Sequence, residues 1–161
     1  MDKGFLTTSV IERSHDSQST AAHDDKLSKN CTCLSVINTN ARSLCPKIDS
    51  LIDCMDETDA SLAIVTETWL RDGDKLEQDI KDLSLEAGLG MLCKNRQPTA
   101  SNGVCYGGVA IPWKETAGLF RRVEVHNPES HEVLVAAGSL RGQKRRLVVV
   151  ACYMPPNLTK N

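Results

Sequence analysis

From about residue 33 onward, short apolar runs separated by polar punctuation organise this chain. The run CLSVIN stops at Asn38-Thr39-Asn40 and reads as a buried strand whose C-terminal end presents two amides. Leu44, Ile48, Leu51, Ile52 and Met55 then recur at helical spacing, with Lys47, Asp49, Ser50 and Asp53 on the other side. That pattern predicts a helix over 41–55, and Pro46 suits its first turn, where a missing N–H costs least. After the turn-like DETDA, SLAIVTETWL predicts a second buried strand whose end carries Glu67. A short helix over 76–85 would set Ile80, Leu83 and Leu76 on one face.

The remainder reads as strand, over 91–96, 104–113, 120–127 and 132–140. A last strand, in RLVVVACYMPP, follows the turn RGQKRR. One early crossover followed by antiparallel meanders predicts an α/β sandwich with a mixed sheet. Residues 14–30 are polar and aperiodic, with no apolar surface to offset the entropy of ordering. Residues 1–32 are therefore expected to form a disordered polar leader, and 33–161 the folded part.

Composition narrows the options. A length of 161 residues suits one domain, and a hydrophobic share of 40% is enough to build a core. Nineteen basic residues against 21 acidic ones leave a net charge of -2, so no global basic field exists. A nucleic-acid partner would have to be held by local clusters such as Arg121-Arg122 or Arg141, Lys144, Arg145 and Arg146, whose first reading is as solvated turns. Aromatics at 4% leave little material for base stacking. Seven cysteines, an odd number, follow a start that lacks an apolar signal core. Free, mostly buried thiols and an intracellular location, nuclear or cytoplasmic, are expected. Cys31-Thr-Cys33 has no second pair at zinc-site spacing, so no structural zinc is expected. The longest apolar run, Leu147–Cys152, is far short of the roughly 18 residues of a membrane span.

Three strand ends carry chemically useful groups: Asn38 and Asn40 on the first, Glu67 on the second, Tyr153 on the last. Sites of α/β sheets gather at strand C-termini, so an amide, a carboxylate and a phenol could line one rim. A carboxylate oxygen suits Mg2+, an amide can orient a phosphate oxygen, and a phenol can hydrogen-bond developing charge on phosphorus. Each is also common elsewhere: Asn in turns, Glu on surfaces, Tyr in cores.

The string Ile37-Asn38-Thr39-Asn40-Ala41-Arg42-Ser43-Leu44, with Lys47-Ile48-Asp49-Ser50-Leu51 after it, resembles the opening motif of the endonuclease/exonuclease/phosphatase superfamily. More narrowly, it looks like the apurinic-type endonuclease domain of non-LTR (LINE-like) retrotransposons. Ile64-Val65-Thr66-Glu67-Thr68-Trp69-Leu70 resembles that family's second motif, and Gly107-Gly108-Val109-Ala110-Ile111, with Arg96 upstream, its Gly-rich strand. Val148-Val149-Val150-Ala151-Cys152-Tyr153-Met154-Pro155-Pro156-Asn157 resembles the strand that ends in the active-site Tyr.

The resemblance implies a four-layer α/β sandwich, truncated here to about its first half. It implies catalytic roles for Asn38, Glu67 and Tyr153, and a Mg2+ (or Mn2+) ion on Glu67 with support from Asn40. DNA is the implied partner, with no small-molecule cofactor; the candidate contacts are Arg42 and Arg96, in and beside the matched motifs, and the basic cluster Arg141, Lys144, Arg145 and Arg146. The family's later Gly-Asp-x-Asn and Ser-Asp-His motifs have no counterpart in this sequence, and His15, His23, His126 and His131 do not replace them. The expectation is a truncated metal-dependent phosphodiesterase domain that is inactive alone. The alternative is a non-catalytic remnant with at most weak nucleic-acid or protein binding.

Overall fold

Alternation along the strands sorts the side chains into two cores, and these set the layers. The computed structural model describes residues 34–96, 106–125, 132–144 and 146–154. The leader, all four histidines, Cys31, Cys33, Cys105 and Arg145 lie outside the described residues.

Strand β1 (Val36–Asn40) pairs in parallel with β2 (Leu62–Thr66), and helix α1 (Ile48–Glu57) supplies the crossover that parallel pairing requires. Helix α2 (Lys75–Glu86) leads to β3 (Leu89–Lys94), which pairs antiparallel with β4 (Val109–Lys114). The first sheet has the order β1-β2-β4-β3. Strands β5 (Gly118–Val123), β6 (Glu132–Leu140) and β7 (Arg146–Tyr153) form a second, antiparallel sheet in sequence order.

Ile37, Ala63, Val65 and Ala110 face the helices and pack with Ile48, Leu51, Met55 and Ile80. Leu62, Val109, Ile111 and Trp113 face the other way and meet Phe120, Leu134, Ala136, Val149 and Ala151 of the second sheet. The described residues thus stack as helices, sheet and sheet, an α/β sandwich. The outward face of the second sheet carries Leu119, Val148 and Val150, which are 76%, 60% and 55% exposed. No helix among the described residues is long and apolar enough to cross a membrane.

Several boundaries differ from the sequence reading, each for a physical reason. The expected helix over 41–55 begins only at Ile48, after a 3-10 turn at Cys45–Lys47 that holds Pro46. Arg42 and Ser43 are left-handed (φ 45° and 84°), and the Ser43 and Leu44 N–H groups donate to the Glu67 and Thr68 carbonyls, each at 2.9 Å. That backbone is committed to the exit of β2 and cannot join a helix. Strand β1, in contrast, runs on through Asn40, which pairs with Thr66. Strand β4 starts at Val109 because Gly107 and Gly108 are left-handed too (φ 108° and 86°).

Helix α2 lies where expected but turns another face inward. Glu77, Ile80 and Ser84 are buried, while Leu76 and Leu83 are exposed. The polar pair is tolerated because each group is bonded. The Glu77 carboxylate accepts from the Gly73 N–H at 2.9 Å and pairs with Lys81 at 2.8 Å, and Ser84 Oγ donates to the Ile80 carbonyl at 2.8 Å. Among the described cysteines all are free; Cys45, Cys54 and Cys93 are half-buried, but Cys152 is exposed on β7. Burial pushes the Cys93 thiol up to about 12, which makes it unreactive at neutral pH.

Candidate active site

Two chain segments in unusual backbone conformations meet at the C-terminal ends of β1 and β2. Beyond Arg42 and Ser43, Glu67 (φ 54°) and Trp69 (φ 56°) are also left-handed. A left-handed non-glycine residue costs free energy, and such outliers concentrate at functional sites. Four of them lie in the two segments that the Ser43–Glu67 and Leu44–Thr68 hydrogen bonds tie together. The reversal at Glu67 ends β2 and turns its carboxylate off the ladder.

Tyr153 closes the site from the second sheet. Its hydroxyl donates to Glu67 Oε1 at 2.9 Å, so the end of β7 meets the exit of β2. Burial, with the hydrogen bond and negative charge of Glu67, pushes the phenol up to about 12. The hydroxyl therefore keeps its proton at neutral pH and acts as a donor.

Asn38 and Asn40 are exposed at the rim of the same face. Val36 and Ile64 pack between the sheets, and strand alternation sets Asn38 and Asn40 on that same side of β1. Asn40 Oδ1 accepts from the Arg42 N–H at 3.1 Å, a local turn that holds the amide at the strand end. Lys47 Nζ donates to the Ala41 carbonyl and pins the same corner.

Reasoning from sequence missed one residue, Glu132. It opens β6, is 6% exposed, and stands opposite Tyr153 in the β6–β7 register. Its carboxylate accepts from the Gly108 N–H at 2.7 Å and pairs with Arg96 Nε at 3.5 Å. Burial holds its carboxyl above the usual range; the Gly108 N–H, Arg96 and Lys94 oppose that shift, and the Glu67 charge adds to it. The available signal was a carboxylate leading an otherwise apolar strand, EVLVAAGSL.

The expected basic residues do not gather in one place. Arg42 is exposed beside Asn40, and Arg96 is engaged by Glu132. Arg141, Lys144 and Arg146 are exposed around the β6–β7 turn, at the opposite end of β7 from Tyr153. At about 3.3 Å per residue that separation is about 23 Å. Thr68 Oγ1 and Trp69 Nε1 are buried next to Glu67 with no hydrogen-bond partner among the described residues. Trp69 packs edge-on against Tyr106, with ring centroids 5.1 Å apart.

Among the described residues no group of three or more His, Cys, Asp or Glu side chains is placed to hold a metal ion. The donors at this rim are nonetheless all hard oxygens: the Glu67 carboxylate and the Asn38 and Asn40 amides. That set fits Mg2+ or Mn2+, of which Mg2+ commonly takes one or two carboxylates and completes its shell with water and phosphate.

No protein-family model matches the chain, and no curated protein does. Solved structures do match. An endonuclease/exonuclease/phosphatase family protein from Leptotrichia buccalis is similar with a TM-score of 0.50 and 14% identity, over 79% of this chain and 56% of that one. The endonuclease domain of TRAS1, a telomere-specific non-LTR retrotransposon, aligns at TM-score 0.48 and 14% identity, over 76% of this chain and 46% of that one. The 3′ phosphatase NExo from Neisseria, in complex with a product DNA hairpin, aligns at 0.46 and 14%, over 70% and 39%. The likeness to the Leptotrichia structure is one of fold alone, a two-sheet α/β sandwich. The chain spans 39–56% of the length of these structures.

Proposed function

We propose that this chain carries the cation- and phosphate-side half of a divalent-cation phosphodiesterase site, of the retrotransposon endonuclease kind, with DNA as its substrate class. The supporting observation is the Tyr153–Glu67 hydrogen bond of 2.9 Å, which joins a phenol and a carboxylate from two sheets at one rim. Glu67 would hold Mg2+ or Mn2+ with Asn40 in support. The ion, when bound, supplies charge neutralisation at a phosphate oxygen. Asn38 orients a second phosphate oxygen, and the Tyr153 hydroxyl, protonated at neutral pH, donates to charge that develops on phosphorus. Arg42 at the rim, and the cluster Arg141, Lys144, Arg145 and Arg146 further off, offer contacts to the DNA backbone.

The residues of this stretch alone are expected not to turn over DNA. Hydrolysis also needs a group that activates water, and the sequence has neither the Gly-Asp-x-Asn nor the Ser-Asp-His motif that supplies it in the family it resembles. Incubation of purified protein with supercoiled plasmid and Mg2+ is expected to give no nicking above buffer. Nicking that vanishes in Glu67→Ala would overturn the inactivity. Mn2+ binding, followed by loss of the free-ion EPR signal, is expected in the wild type and absent in Glu67→Gln. Equal binding by both proteins removes Glu67 from the site.

A further inference from the structure

Glu132 is a buried carboxylate with two partners and no role in the function proposed above. Its surroundings show what it holds. The Gly108 N–H points at its Oε2 at 2.7 Å, and a Cβ on Gly107 would come within 2.6 Å of its Oε1. The carboxylate therefore lies directly against the Gly107-Gly108 turn, in space that only glycine leaves free. The other side of that turn is committed as well. The Gly107 carbonyl accepts from the Trp69 N–H at 2.8 Å, and the Gly108 carbonyl accepts from the Thr68 N–H at 3.3 Å. Thr68 and Trp69 directly follow Glu67, whose own left-handed conformation needs outside support. Arg96, from the exit of β3, pairs with the other oxygen of the Glu132 carboxylate, Oε1.

From this chain of contacts we infer that Glu132 is a positioning residue, one that fixes the Gly107-Gly108 turn and through it the Thr68–Trp69 backbone that aims Glu67. The inference rests on Glu67 being the cation-binding carboxylate. It adds that the aim of Glu67 is set from the second sheet, by a residue that touches neither phosphate nor ion. Partners of this outer kind commonly change metal affinity about 10-fold or more when removed.

The test uses Tb3+ as the probe, with emission sensitised through the nearby Tyr153 and Trp69, on the full chain. Glu67→Gln is expected to abolish the sensitised emission. Glu132→Ala is expected to weaken Tb3+ binding about 10-fold, and Glu132→Gln, which keeps an acceptor for Gly108, by less. Gly107→Ala keeps the Glu132 side chain but crowds its carboxylate and strains the turn it holds, and the same weakening is expected. Wild-type affinity in Glu132→Ala, or weakening there but not in Gly107→Ala, overturns the inference while the cation reading stands.

If emission does not depend on Glu67, the cation reading fails and amide exchange decides on Glu132 alone. The Thr68 and Trp69 amides of Glu132→Ala should then exchange about 10-fold faster, and those of Glu132→Gln measurably but less so, with the Met55 amide of α1 unchanged. Unaltered exchange at Thr68 and Trp69 overturns the inference. Glu132→Gln also carries the test if Glu132→Ala or Gly107→Ala does not fold.

Discussion

Tyr153 donates its hydroxyl proton to Glu67 Oε1 at 2.9 Å, although the two residues are 86 positions apart and belong to different sheets. The bond couples the strained exit of β2 to the end of β7, so two elements with no shared ladder depend on each other here.

Tyr153→Phe is expected to lower stability by about 1 kcal/mol, because the half-buried Glu67 carboxylate loses a partner. In a double-mutant cycle with Glu67→Gln, urea unfolding should show a coupling of similar size. Strictly additive single effects would mean that the bond contributes nothing.

The Glu77–Lys81 pair should make stability depend on acid pH. Burial pushes the Glu77 carboxyl up, but the Lys81 ammonium and the Gly73 N–H outweigh it and leave the group below its ordinary 4.5. A depressed carboxyl contributes stability that is fully present above 4.5 and is lost as pH falls through the folded value. Glu77→Gln should therefore cost about 0.5 kcal/mol at about pH 6 and almost nothing at about pH 3. Urea melts of both proteins at the two pH values check this; a gap that is constant with pH contradicts it.

Gly108 and Gly73 separate crowding from backbone conformation. Both are left-handed, at φ 86° and 74°, but a Cβ at Gly108 would come within 2.3 Å of Thr68 Oγ1, whereas Gly73 has nothing within 4 Å. Gly73→Ala should cost about 1 kcal/mol for the conformation alone. Gly108→Ala should cost about 1–3 kcal/mol more, since buried Thr68 must move. Equal losses in thermal melts would show that the contact yields freely.

The outward face of the second sheet should drive self-association. Leu119, Val148 and Val150 are largely exposed there, and among the described residues no strand pairs with the outer edge of β7. Exposed apolar sheet with an open edge is a template for association. The chain is expected to self-associate as its concentration rises, and Val148→Lys to reduce association without loss of helix signal. Light scattering after size exclusion checks this; a wild type that stays monomeric across the concentration range counts against it.

Much of the architecture was legible along the chain. The face of Ile48, Leu51 and Met55 follows from helical spacing and is buried as expected, whereas Ile52 is only half-buried and Leu44 is buried from outside the helix. The apolar runs locate the seven strands of the described residues, most plainly β2 and β4, where burial on both sides leaves few polar positions. Helix α2 shows where periodicity fails: Leu76 and Leu83 were expected beside Ile80 but are exposed, and bonds to Gly73, Lys81 and Ile80 let Glu77 and Ser84 turn inward instead.

The candidate site divides in the same way. Local pattern was enough to single out Asn38, Asn40, Glu67 and Tyr153, since each stands where an apolar run ends, although Asn38 proves to lie within β1 and Glu67 just past β2. The pairing of Tyr153 with Glu67 belongs to the tertiary structure, as does the clamp from Glu132 to Gly108. Both bonds cross between sheets, and the relative placement of two sheets depends on how Trp113, Phe120, Leu134 and Val149 interdigitate. Periodicity reports which face of an element is apolar. It carries no information about which distant polar group will be brought to that element's end, so the partners of Glu67 appeared only once the two sheets had packed.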